Sequence, residues 1–252
     1  METIPTEIKD KIFESFSSLP DNIVEDIKGK KIQGSNSIMS AIENYYRPFG
    51  AIHFYNKLIE ILEKHELICY HATKVKSKNV LLRNGLKIND WKIYSANLTA
   101  AYVNIGMVKE KIQEALDIIK CEYSRKYEEL NRNAQLCFFS NLSMLKGEHA
   151  TYDQFCENIG GELARWALKN KYPDLYGPLK ENGKGCVVKF KMPYSKIADY
   201  EKDRIAYQFV IFYAGLYFWN KEYDIQFDGN TQYDVPPEDI LDIIDLNKNI
   251  DY

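Results

Sequence analysis

Two short segments hold the residue types that could do chemistry. Tyr70-His71-Ala72-Thr73 offers an imidazole beside a small residue and a hydroxyl. An imidazole titrates near neutral pH, and its ring nitrogens are directional hydrogen-bonding groups. Gly160-Gly161-Glu162 offers a carboxylate behind two glycines, a pair that lets the backbone turn sharply or come close to a ligand. An imidazole and a carboxylate on one cleft can work as an acid/base pair. A carboxylate can also stabilise the oxocarbenium-like state of a breaking glycosidic C–N bond. Plainer roles compete at both places. His71 can be a hydrogen-bonded structural histidine, and Glu162 an exposed glutamate favoured by a helix N-terminus.

Most other chemistries lack their signatures. The chain has no GxxxxGK[ST] or GxGxxG phosphate loop, no HExxH, and no GxSxG elbow. The five cysteines are widely spaced with no CxxC pair, which argues against a disulfide framework and a structural zinc site. No metal is expected. His149, one residue after Glu148, is a weak metal signal. A Cys–His dyad of Cys137 with His71 or His149 stays open.

Elements must position these groups. Leu67 to Tyr70 reads as a short strand that delivers His71 at its end, at the rim of a sheet. Residues 79–85 read as a short helix stopped by Gly85. Residues 100–132 place Ile112, Ala115, Ile119 and Tyr123 at helical spacing, as one or two helices. Residues 136–139 read as a second strand. Residues 152–169 read as helical around the glycine pair, and residues 185–192 as the clearest strand, ended by Pro193. Residues 204–219 form an aromatic, buried segment. Residues 222–227 and 231–235 flank Asp228-Gly229-Asn230, a hairpin-turn signal. The segment at 240–246 fits a helix or a strand. Before residue 66 lie helical patterns over 5–19, 37–46 and 52–65, with breaks at 29–35 and at Pro48 and Gly50. The expected architecture is α+β, with residues 1–65 as a helical extension and 66–252 as the catalytic-type domain.

A chain of 252 residues, 45% hydrophobic and 27% charged, can bury a core. Its net charge of −3 does not point to a broad nucleic-acid surface. The 19 tyrosines suit half-buried surfaces more often than ligand stacking. The N-terminus shows no signal-peptide pattern, and the longest apolar run, 209–219, is about half a membrane span. A cytoplasmic protein without a membrane partner is expected.

Two resemblances add to this. His71-Ala72-Thr73, then Leu136-Cys137-Phe138-Phe139, then Gly160-Gly161-Glu162-Leu163-Ala164 resemble bacterial and phage proteins with His-Ala-Thr and aromatic-Gly-Gly-Glu-Ala motifs. The likeness covers about residues 66–200. It departs at Ile159, where tryptophan is expected, and at Leu163, where alanine is expected. His71 with the following helix, and Lys92-Ile93-Tyr94-Ser95-Ala96-Asn97 with Ala100-Ala101-Tyr102, look like ADP-ribosyltransferase-like domains of the histidine-tyrosine-glutamate type.

That second resemblance implies a split mixed sheet and NAD as the substrate. It implies that His71 holds the NAD ribose and amide region and that Tyr94 stacks on nicotinamide. A glutamate would stabilise the cation that forms as nicotinamide leaves: Glu162 first, then Glu222, with Gln232 a further candidate. Thr73, Ser95, Tyr102 and Phe139 complete the expected NAD contacts. The activity implied is ADP-ribosyl transfer to a protein or nucleic-acid target, in phage–host conflict or as a toxin. The competing expectations are a non-catalytic nucleotide- or protein-binding module and a phosphodiester-cleaving toxin using His71 and Glu162. Glu162 is expected to face the same cleft as His71.

Overall fold

The structure, a computed structural model, describes residues 6–29, 51–128, 134–145, 152–222 and 225–245. The helical pattern over 37–46, the break at Pro48 and Gly50, and His149 lie outside them. The chain divides into two compact units: Met1–Leu67 with Pro193–Phe227, and Ile68–Met192 with Asp228–Tyr252.

The first unit is helical. It contains α1 (Thr6–Ser17), α2 (Asp21–Gly29) and α3 (Ala51–Leu62), together with a long helix from the other side of the sequence. Ile8, Ile12 and Phe16 recur at helical spacing on α1 and are buried. They meet the aromatic run 204–219, which forms most of that 21-residue helix, Asp199–Trp219. Phe13 stands edge-on to Tyr213 and Tyr217, with centroids 5.9 and 5.0 Å away. The described helices before residue 66 therefore pack against a late segment as well as against one another. No described helix is long and apolar enough to cross a membrane.

The second unit is α+β. In chain order it comprises β1 (Glu66–Val75), α4 (Lys78–Asn84), α5 (Trp91–Asn104), α6 (Lys109–Tyr123) and β2 (Leu136–Phe139). There follow α7 (Tyr152–Cys156), α8 (Gly161–Leu168), α9 (Pro173–Glu181), β3 (Lys184–Pro193), β4 (Asp228–Thr231) and β5 (Ile240–Ile244). The helix Asp199–Trp219 of the first unit, α10, intervenes between β3 and β4. The strands form one sheet in the order β4-β2-β1-β3-β5. The pairs β1–β2, β2–β4 and β3–β5 are antiparallel. A single five-stranded sheet with helices around it accords with the expected α+β class.

Two expectations change. β1 runs five residues beyond Tyr70, so His71 sits inside the strand and not at its end. In this extension Lys74 donates from Nζ to the carbonyls of Glu157 and Lys180, and the Thr73 carbonyl accepts from Cys156 Sγ. Asp228-Gly229-Asn230 is not a turn: all three residues lie in β4 and pair with β2, Gly229 opposite Phe138. A Cβ on Gly229 would fall 2.5 Å from the Phe138 ring, so the glycine makes room for that aromatic.

Two cores hold the unit. Helices α5, α6, α8 and α9 enclose one, with Leu98, Tyr102, Ile112, Ala115, Ile119, Leu163, Leu168 and Leu179. The expected α6 stripe of Ile112, Ala115, Ile119 and Tyr123 is its spine. The second core packs Ala72, Phe139 and Val187 of the sheet against Cys156, Tyr152 and Phe155 of α7.

Candidate functional site

His71 is half-buried, and its Nδ1 lies 2.8 Å from the Cys137 carbonyl oxygen. A carbonyl accepts only, so Nδ1 carries the proton and the neutral ring presents Nε2 as an acceptor. Burial holds the His71 pKa below the ordinary histidine value, and the hydrogen bond to Cys137 offsets part of this. The side chain of Cys137 points elsewhere: its Sγ lies 2.9 Å from Asn230 Oδ1. The imidazole therefore meets the backbone of Cys137, not its thiol. Tyr70, Ala72 and Phe139 share one core, so alternation along the strand puts His71 and Thr73 on the opposite face.

The Gly-Gly-Glu segment is a built turn between α7 and α8. Asn158, fully buried, donates from Nδ2 to the carbonyls of Ile159 and Gly161, and accepts from the Tyr176 hydroxyl at 3.2 Å. Gly160 is left-handed at φ +88. A Cβ there would come within 2.8 Å of Leu98 Cδ2 and 3.0 Å of the Tyr94 hydroxyl oxygen. Tyr94 donates its hydroxyl proton to the Gly160 carbonyl at 2.7 Å. The glycine thus brings α5 and α8 together. Glu162 follows in the first turn of α8, where the helix dipole favours a carboxylate. Its oxygen lies 3.7 Å from Arg165, and burial raises its pKa more than that arginine lowers it.

The remaining expected site residues are dispersed. Ser95 donates to the Lys92 carbonyl within α5. Tyr102 is fully buried, its hydroxyl donating to the Leu175 carbonyl at 2.9 Å, so it packs the helical core rather than facing a ligand. Phe139 is buried against Phe155. Glu222 is exposed and belongs to the first unit, whereas His71 and Glu162 belong to the second. Gln232 is exposed beyond β4.

A cleft of about 720 Å³ opens in the second unit and is lined by neither His71 nor Glu162. Among the described residues its walls carry Lys74, Arg165, Lys169, Lys180 and Lys184 against the single carboxylate of Glu157. Five cations around one anion are notable in a chain of net charge −3. Lys74 donates to the carbonyls of Glu157, at 3.1 Å, and of Lys180. Burial lowers its pKa. The Nε of Arg165, on the cleft wall, is buried without a hydrogen-bond partner among the described residues. Lys169 and Lys180 lie 2.9 and 3.9 Å from a Glu157 oxygen. Burial pushes the Glu157 carboxyl up, but Lys169, the Tyr176 hydroxyl and the Lys180 charge outweigh it and leave the pKa below the ordinary value. At the floor, Gly185 admits the Tyr152 hydroxyl and Cys156, and burial pushes the Cys156 thiol up to about 12.

These cations escaped the sequence reading, which followed imidazole and carboxylate motifs. A signal existed: residues 165–191 hold seven Lys or Arg against two Asp or Glu in an otherwise acidic chain. Among the described residues no group of His, Cys, Asp and Glu could hold a metal ion. No protein-family model, no curated protein and no solved structure matches this chain.

Proposed function

We propose that the α+β unit binds a phosphorylated small molecule of nucleotide type in the cleft between β1, α7, α8 and α9. The observation that carries this reading is the excess of cations lining a space of about 720 Å³. That volume suits a small ligand rather than a macromolecule. Arginine and lysine side chains recognise phosphate through charge-assisted hydrogen bonds, and Arg165 lines this space together with four lysines. Calorimetric titration with pyrophosphate, ATP, ADP-ribose and NAD tests the reading. Saturable binding is expected, weakened about tenfold by Arg165→Ala or by Lys184→Glu. Absence of binding by all four, or equal binding by both variants, removes it.

A second reading is NAD-dependent ADP-ribosyl transfer to a macromolecular target, with His71, Tyr94 and Glu162 as the working residues. The Tyr94–Gly160 hydrogen bond favours it, because it ties the tyrosine motif to the Gly-Gly-Glu motif. Incubation with NAD should then release nicotinamide, and Glu162→Gln should abolish the release while Glu222→Gln leaves it. With no release, the chain is a binding module rather than a transferase.

A further inference from the structure

Among the described residues, Glu157 is the one carboxylate lining the cationic cleft, and it is held there. Its side chain is 16% exposed and lies 2.9 Å from Lys169 and 3.9 Å from Lys180. The backbone around it has little freedom. Its carbonyl accepts from Lys74, and the next residue is Asn158, whose buried amide fixes the turn. A carboxylate positioned this way presents two oxygens to the cations that an incoming phosphate would need. It neutralises one charge of five, so the cleft stays attractive to anions.

We propose that Glu157 is a built-in competitor, an internal anion that a phosphoryl group must displace from Lys169 and Lys180 to bind. The proposal rests on the anion-binding reading of the cleft and adds a selectivity to it. A terminal phosphate or pyrophosphate, carrying two or more charges, replaces the single negative charge of Glu157 with a net electrostatic gain. A phosphodiester, carrying one charge, exchanges like for like. The favoured ligands are therefore nucleoside di- or triphosphates and other terminal phosphates, and nucleic-acid backbone and cyclic phosphodiesters are disfavoured. Tyr176 serves the same arrangement: its hydroxyl reaches both Asn158 and Glu157 and orients the turn that carries the carboxylate.

A double-mutant cycle separates competition from simple charge removal. Pyrophosphate is titrated into the wild-type protein, Glu157→Gln, Lys169→Ala and the double variant. Glu157→Gln should tighten binding about fivefold, the scale of two partly exposed ion pairs. Lys169→Ala should be close to neutral in the wild-type background, because the ligand contact it loses is matched by the pair that no longer has to break. In the Glu157→Gln background the same change should cost about fivefold. Additive effects, or a Glu157→Gln variant that binds no better, overturn the competitor role while leaving the anion site standing. If neither the wild type nor Glu157→Gln binds pyrophosphate, both readings fall. Should Glu157→Gln not fold, Glu157→Asp draws the carboxylate back by one methylene and should give part of the gain.

Discussion

At the scale of single residues, His71 joins a functional group to a measurable stability term. Its pKa is lowered in the folded chain, so the unfolded chain binds a proton more readily. Stability then rises with pH wherever the unfolded state holds more protons. The contribution is fully favourable above the unfolded histidine value of about 6.5 and is lost as pH falls from there toward the folded value. Urea midpoints should drop between pH 7.5 and 5.5, and His71→Gln, which keeps a donor for the Cys137 carbonyl, should flatten that slope. An unchanged slope would mean the imidazole is not the titrating group. The residue type and its hydrogen-bonding capacity were readable in the sequence. Its place inside β1 was not, because the extension of the strand depends on pairing with β2 and β3.

At the scale of elements, the α7–α8 turn shows why a glycine pair need not mark a ligand. The two glycines do different things. Gly160 is left-handed and crowded by Leu98, Ala164 and Tyr94, while Gly161 is left-handed at φ +58 with open space around its Cβ direction. Gly161→Ala should cost about 1–2 kcal/mol, the strain of a left-handed non-glycine residue. Gly160→Ala should cost more, about 3 kcal/mol or above, because α5 and α8 must also separate. Chemical denaturation of both variants measures the difference; equal costs would mean that the close approach of Tyr94 and Leu98 is relieved without consequence. The amphipathic spacing on α6 was legible because helical periodicity is local. The break at residues 157–160 is set instead by Asn158 and Tyr176, eighteen residues apart. The apparent hairpin turn at Asp228-Gly229-Asn230 misled for a similar reason: the ring of Phe138, from a distant strand, decides what that glycine is for.

At the scale of the whole molecule, a cationic cleft sits on an anionic chain. Anions are repelled weakly at a distance and attracted strongly close in, so salt should act mainly on the local attraction. Raising sodium chloride from 50 to 300 mM should weaken pyrophosphate binding by roughly tenfold, since several lysines are well exposed and are screened. A salt-independent affinity would point to apolar or uncharged recognition instead. The two compact units also bear on how the chain is divided. The first 67 residues cluster with Pro193–Phe227, segments far apart in sequence, because the apolar faces of α1 and α3 need a partner and α10 supplies it.

The sequence by itself determined the α+β composition, the strands at 136–139 and 185–192, the α6 stripe and the residue types available for chemistry. Those follow from side-chain periodicity and local backbone preference, which act over a few residues. Tertiary structure decided that Tyr102 packs a core and that Glu222 and Glu162 fall in different units. It also decided that cationic side chains from β1, α8, α9 and β3 meet at one cleft. Each of these depends on contacts between residues tens of positions apart, and local spacing carries no information about such contacts until the chain has folded.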